Sequence, residues 1–121
     1  MEQTVLVVDD SITVRRMVTA ALVDAGWPVL ASCNGRDALA AIAHRQVHLV
    51  ITDLNMPEMD GIELIRELRA RPQYAKVPIL VLTTEIDERA KQAARTAGAT
   101  GWLGKPVHGE VIAQVAATLL N

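Results

Sequence analysis

Ile51-Thr52-Asp53-Leu54-Asn55-Met56-Pro57 joins an apolar run to a loop, and the reading of that junction decides the fold. Ahead of it, Val47-His48-Leu49-Val50-Ile51-Thr52 is rich in β-branched residues and short enough for a buried strand. Behind it, Asn55, Pro57, Asp60 and Gly61 break the pattern and announce a loop. A carboxylate at the end of a buried strand sits at the edge of a low-dielectric core, where its charge is unfavourable unless something binds it. Asp53 is therefore a candidate reactive group. Alone, it reads as well as a turn residue bonding its own backbone; the rest of the chain separates the two readings.

Outward from this junction the same strand–loop–helix unit recurs. Thr4-Val5-Leu6-Val7-Val8 is a continuous apolar run, as in a strand covered on both faces, and it stops at Asp9-Asp10-Ser11. Val14, Met17, Val18, Ala21, Leu22 and Ala25 then follow helical spacing up to Gly26, with Ser11 or Asp10 as the cap. Pro28 to Cys33 reads as a second strand, Asn34-Gly35 as a turn, and Ala38, Leu39, Ile42 and Ala43 as a short helix. After the Asp53 loop, Leu64, Ile65 and Leu68 mark a third helix. Val77 to Leu82 gives a fourth strand ending at Thr83. The next helix has an almost all-alanine face (Ile86, Ala90, Ala93, Ala94, Ala97) closed by Gly98, which buries little area and predicts a more mobile element. Ala99 to Gly104 supplies a fifth strand before Lys105-Pro106, and Val111, Ile112, Val115, Ala116 and Leu119 form the last helix. Five strands alternating with five helices make an α/β domain over residues 1–121, with a parallel sheet and right-handed crossovers.

Composition narrows the function classes. Half of the 121 residues are apolar, but the aromatics are only Trp27, Tyr74 and Trp102, so Val, Leu, Ile and Ala must build the core. A net charge of -2 without a Lys/Arg run argues against nucleic acid; Arg15-Arg16 and Arg66, Arg69 and Arg71 read as solvated helix faces. Cys33 is the single cysteine, read as a buried strand residue, and leaves no disulfide framework. His44, His48 and His108 lie away from the acids, while Met17 fits a core face and Met56 and Met59 fill space beside the loop. No signal peptide and no run of ~20 apolar residues is found. A soluble cytoplasmic protein is expected.

Ligands of such sheets bind beyond the carboxyl ends of the strands. Those ends carry Asp9-Asp10, Asp53, Thr83 and Lys105, so three acids, a hydroxyl and an amine converge on one rim, to which the second strand adds nothing obvious. Clustered carboxylates raise one another's pKa unless a cation intervenes. An all-oxygen set suits Mg²⁺, with Mn²⁺ as an alternative. A cation beside a lysine suits a phosphoryl group, which Asp53 could accept as a carboxylate nucleophile while Lys105 and Thr83 neutralise its oxygens.

In combination, the paired acids, Asp53-Leu54-Asn55-Met56-Pro57-Glu58-Met59-Asp60-Gly61, Leu82-Thr83 and Lys105-Pro106 resemble the response-regulator receiver domains, most of all the single-domain chemotaxis type. The resemblance covers essentially the whole chain and implies a flavodoxin-like doubly wound sheet of strand order 2-1-3-4-5. It implies Asp53 as phosphoacceptor, Asp10 as a direct Mg²⁺ ligand, Asp9 acting mainly through water, and the Asn55 backbone carbonyl as a further ligand. Thr83 is then the switch hydroxyl, Lys105 its partner amine, Trp102 the aromatic switch residue, and the Lys105–Pro106 bond cis. Asn55 and Glu85 would flank the hydrolytic water and, as a polar pair, give a short-lived phosphoryl state. Trp102 in place of Tyr or Phe, Val107 after Lys-Pro, and Gly104 depart from the family pattern and bear on the switching details.

The function implied is a phosphorylation-driven switch, not an enzyme beyond its own phosphorylation and dephosphorylation. A histidine kinase donates, the face of the fourth helix, fifth strand and fifth helix changes affinity, and a target such as a flagellar motor switch protein responds. A phosphatase partner is compatible with this, and a monomer without nucleic-acid or membrane contacts is expected. As the chain ends just after the last helix, no output domain is expected either. The alternatives are a phosphate shuttle, a receiver excised from a larger regulator, or an unphosphorylated scaffold. A small-substrate phosphohydrolase would need a general acid two residues after Asp53, a role Asn55 cannot fill.

Overall fold

The computed structural model describes residues 3–84 and 87–120. Glu85 and Ile86, read above as a hydrolysis-tuning and a core residue, lie outside the described residues. The strands are β1 (Val5–Val8), β2 (Val29–Ser32), β3 (Leu49–Thr52), β4 (Ile79–Thr83) and β5 (Gly101–Gly104). Between and after them run α1 (Ile12–Asp24), α2 (Gly35–Ile42), α3 (Gly61–Arg69), α4 (Glu88–Ala97) and α5 (Gly109–Leu120). All pairings are parallel and the order is β2-β1-β3-β4-β5, as the resemblance implies.

Every residue of β1, β3 and β4 is buried, which explains their unbroken apolar runs. Alternate side chains enter two cores. Val5, Val7, Leu49, Ile51, Leu80 and Leu82 meet Val18 and Leu22 of α1 and Ile112, Ala116 and Leu120 of α5. Leu6, Val8, Val50, Ile79 and Val81 meet α2, α3 and α4 on the other face. The strands are shorter than the apolar runs at most ends, although interstrand backbone bonds reach past them, as from His48 N–H to the Thr4 carbonyl at 2.8 Å and from Val5 N–H to the Pro28 carbonyl at 2.9 Å.

Several readings are corrected. Cys33 is exposed, one residue past β2, so it is not a buried strand residue. Asn34 lies in the bend after β2 and also caps α2, its Oδ1 accepting from Asp37 N–H at 2.8 Å, while Gly35 is already the first helical residue rather than part of a turn. Ala25, the C-cap of α1, is exposed, and so is Ala93, so α4 among the described residues is buried through Ala94 and Ala97 with Ala90 packed partly against the same core. Arg69 is no solvated charge. It donates to the carbonyls of Gly98 (3.0 Å), Tyr74 (2.7 Å) and Val77 (2.7 Å), tying α3 to a short 3-10 turn at Pro72–Tyr74 and to the end of α4. Burial lowers the pKa of this guanidinium. Tyr74, buried in that turn, was not foreseen as a core residue. Ser11, not Asp10, caps α1, and Gly98 closes α4 at φ 117°.

Gly61 opens α3 with its N–H on the Leu54 carbonyl at 2.8 Å, and a Cβ there would lie 2.2 Å from the Asp53 carbonyl oxygen and 2.8 Å from Leu54 Cα. Both are backbone atoms and cannot rotate away. Gly61→Ala should therefore destabilise the domain by about 2–3 kcal/mol in urea unfolding. Gly101→Ala, whose methyl would meet only Leu80 at 3.9 Å, should stay within about 0.5 kcal/mol. Equal effects would mean that the α3 junction has room to spare.

Candidate functional site

Val8 pairs with Thr52 in the β1–β3 register, so the next residues, Asp9 and Asp53, leave the sheet side by side. Asp53 N–H donates to the Val8 carbonyl at 2.9 Å and locks that register to the site. Both carboxylates are nearly buried, at 2% and 8% exposure, while Asp10 is exposed. Lys105 Nζ reaches between them, donating to Asp9 Oδ2 at 2.8 Å and to Asp53 Oδ2 at 3.1 Å. The second oxygens are held by backbone: Ser11 N–H donates to Asp9 Oδ1 at 2.9 Å and Leu54 N–H to Asp53 Oδ1 at 2.7 Å.

Burial pushes the Asp53 carboxyl up, and the bond to Lys105 recovers only part of that shift while Asp9 adds to it. For Lys105 burial acts downward, yet its bonds to Asp9 and Asp53 outweigh it and leave the amine raised. The lysine is thus held charged between two acids of which Asp53 is still under-compensated. The pocket can take more positive charge.

One carboxylate oxygen each from Asp9, Asp10 and Asp53 lies within 4.8 Å of the others. The donor set is all oxygen, and these residues fit a hard divalent cation such as Mg²⁺. Asn55, two residues on in the same loop, is exposed. Thr83 ends β4, buried, with its carbonyl accepting the Lys105 N–H at 2.9 Å. The Lys105–Pro106 bond is cis. Four of the residues read from the sequence, Asp9, Asp10, Asp53 and Lys105, therefore meet, and Thr83 stands on the strand between Lys105 and Asp53.

Trp102 lies on β5, partly buried, under two cations of α4: Lys91 Nζ is 5.4 Å and Arg95 Cζ 5.1 Å from its ring centre. Sequence spacing gave no sign of this clasp, which spans two elements. Two further supports were missed. Arg15 is not simply solvated: from the first turn of α1 it donates to the Asp9 carbonyl at 2.8 Å. The end of β2 does contribute, because Asn34 Nδ2 donates to Glu58 Oε2 at 3.3 Å, where Glu58 holds φ 66° in the Asp53 loop. The Asn34-x-x-Asp37 spacing was the available signal for a cap; its reach to Glu58 had none.

A family model for the response regulator receiver domain matches residues 5–117. A chemotaxis protein CheY homolog of Campylobacter jejuni is 38% identical over 109 residues, covering 88% of this chain and 84% of its own. The structure of chemotaxis response regulator CheY4 of Vibrio cholerae is 42% identical with a TM-score of 0.93, over 99% of this chain and all of that one. A response regulator from Burkholderia multivorans is 45% identical with a TM-score of 0.83, over 100% of this chain and 97% of its own. No helix among the described residues is long and apolar enough to cross a membrane. With its acids and lysine meeting at the strand ends of a 2-1-3-4-5 sheet, the chain belongs to the response regulator receiver domains.

Proposed function

We propose that this receiver accepts a phosphoryl group on Asp53 from the phosphohistidine of a kinase, and that the reading rests above all on the single Lys105 amine shared by Asp9 and Asp53. An Asp53 carboxylate oxygen attacks phosphorus as the phosphorus–nitrogen bond of the donor breaks, and the imidazole departs with the electron pair. Lys105, already charged and placed, transfers one of its donor bonds to a phosphoryl oxygen without reorganisation. Asp9, Asp10, Asp53 and the Asn55 carbonyl would hold Mg²⁺, which supplies charge neutralisation at the phosphoryl oxygens.

Thr83 then moves toward the phosphoryl group, and Trp102 follows. The face of α4, β5 and α5 changes its affinity for a downstream protein. A chemotaxis target such as a flagellar motor switch protein fits the chemotaxis proteins among its relatives. Asn55 and Glu85 tune hydrolysis, and a phosphatase can act on the same adduct.

Incubation with Mg²⁺ and a small phosphodonor should add one base-labile phosphoryl group to the wild type, read by intact mass, and none to Asp53→Asn or to a Mg²⁺-free sample. No adduct on a chain that does bind Mg²⁺ would transfer the lead to the scaffold reading. The phosphoryl half-life should lengthen several-fold in Asn55→Lys and in Glu85→Leu; a wild-type half-life of many hours that neither variant exceeds would remove both residues from hydrolysis.

The cation clasp of partly buried Lys91 and exposed Arg95 sets what the Trp102 movement must overcome, about 0.5–1 kcal/mol for each cation on the ring. In a Trp27→Phe background, Trp102 fluorescence should change on phosphorylation. The Lys91→Gln/Arg95→Gln pair should move the unphosphorylated spectrum toward that end state. Spectra identical with and without the two cations would show that the clasp does not govern the ring.

A further inference from the structure

Glu58 is the one non-glycine residue with a positive φ among the described residues, at 66°. On either side of it, the Met59 N–H donates to the Pro57 carbonyl at 2.7 Å, so three residues close a tight turn with Glu58 at its centre. A three-residue turn with positive φ at its centre is rare and strained, and only glycine takes that backbone without cost. This one falls inside the site loop, five residues after Asp53. Such strain persists only where the surrounding structure imposes it.

The β2–α2 junction makes two contacts that impose it. Asn34 is buried, and its Nδ2 donates to Glu58 Oε2 at 3.3 Å. Next along, Met59 lies so close over Gly35 that a Cβ there would come within 2.9 Å of Met59 Cγ and 3.0 Å of its Sδ. The orientation of the Asn34 amide is set from within α2. Its Oδ1 is committed to the Asp37 N–H at 2.8 Å, which leaves Nδ2 facing Glu58, with Asp37 Oδ2 alongside at 3.4 Å. Between Asp53 and Glu58 stand only Leu54, Asn55, Met56 and Pro57. Leu54 is held at both ends, its N–H on Asp53 Oδ1 at 2.7 Å and its carbonyl under the Gly61 N–H at 2.8 Å. Pro57 has its φ locked by the ring. Holding Glu58 therefore leaves the Asn55 peptide little freedom.

We propose that Glu58 is a positioning residue for the cation. Held by Asn34, it keeps the loop in the conformation that lets the Asn55 carbonyl join Asp9, Asp10 and Asp53 as a ligand. The inference rests on the reading that Mg²⁺ binds at those three acids. Glu58 acts through the loop and not through its charge, and β2, which the sequence left without a role at the rim, supplies the residue that holds it.

A role in conformation and a role in charge predict opposite results for one variant. Asn34→Asp keeps an oxygen for the Asp37 N–H, and with it the α2 cap, but sets an acid against Glu58. The added negative charge alone would strengthen cation binding, whereas loss of the bond should weaken it. Titration with Mn²⁺, followed by loss of the free-ion electron paramagnetic resonance signal, should show affinity reduced about 10-fold in Asn34→Asp and in Glu58→Ala. That is the low end of the ~10–100-fold typical when a group that holds a ligand in place is lost. Glu58→Gln keeps an acceptor oxygen and should bind as the wild type does, although it has lost an acid. In Asn34→Asp/Glu58→Gln the donor and the acceptor exchange places at unchanged net charge, and wild-type affinity should return. Affinity, and not the thermal midpoint of the ion-free chain, should follow the bond through the series. Asn34→Asp that binds Mn²⁺ as tightly as the wild type or tighter, or a double variant that stays weak, would overturn the inference. Wild-type binding that Glu58→Ala leaves unchanged would overturn it and leave the cation site standing; a wild type that binds no Mn²⁺ would remove both.

Discussion

The ammonium of Lys105, shared between Asp9 and Asp53, is the interaction on which the arrangement of the rim depends. Parallel order places β1 beside β3, so two acids leave the sheet as neighbours and repel each other where water is scarce. Lys105 follows β5, two strands from β3 and three from β1. At ~4.8 Å per strand that is about 10 and 15 Å. No side chain spans that distance alone; the lysine and the two aspartates meet beyond the strand ends, while the Thr83 carbonyl on the intervening strand holds the Lys105 backbone N–H. The lysine therefore binds the far edge of the sheet to its centre, and the acids in turn keep it charged in spite of burial.

Having fixed the acids, the fold must keep the Asp53 loop from drifting. It does so by close backbone approach on one side and by side chains on the other. Gly61 leaves no space for a Cβ against the Asp53 carbonyl. Across the loop, Asn34 holds Glu58, and Gly35 packs under Met59. The carboxylate that would react is thus set on a strand end whose next nine residues are pinned at Leu54, Glu58 and Gly61. Such support limits the reorganisation needed when charge arrives.

How much of this was legible follows from the range of each interaction. The strands could be read because β1, β3 and β4 are buried on both faces and leave unbroken apolar runs. The rim could be read because parallel topology collects every strand's carboxyl end on one side, which makes Asp9, Asp53, Thr83 and Lys105 neighbours without any distance being known. Cys33 misled because apolar character continues one residue beyond the ladder. Arg69 misled for the opposite reason: its charge looks solvated, but the carbonyls of Tyr74 and Val77 in the segment after α3 and of Gly98 at the end of α4 converge on it. Asn34 and Arg15 share that fault, since each joins residues that only the folded chain brings together. Periodicity reports what a side chain faces on average, not the single partner it finds.

The same reasoning indicates where a change at the rim can travel. A signal from Asp53 must leave through elements whose packing energy is comparable with the signal, on the order of 1–3 kcal/mol. The central strands are closed to it, because every side chain in them is buried. β5 is different: Gly101 to Leu103 are only partly buried and Gly104, which pairs with Thr83, is exposed. Beside it, the buried residues of α4 are two alanines, Ala94 and Ala97, whose small area contributes little to docking. Between strand and helix, Lys91 and Arg95 on Trp102 add a second contact to this small apolar face. On the proposed reading, the Thr83–Gly104 pair couples the phosphoryl site to the part of the sheet least held by burial, and Trp102 is the bulkiest side chain that this part can move.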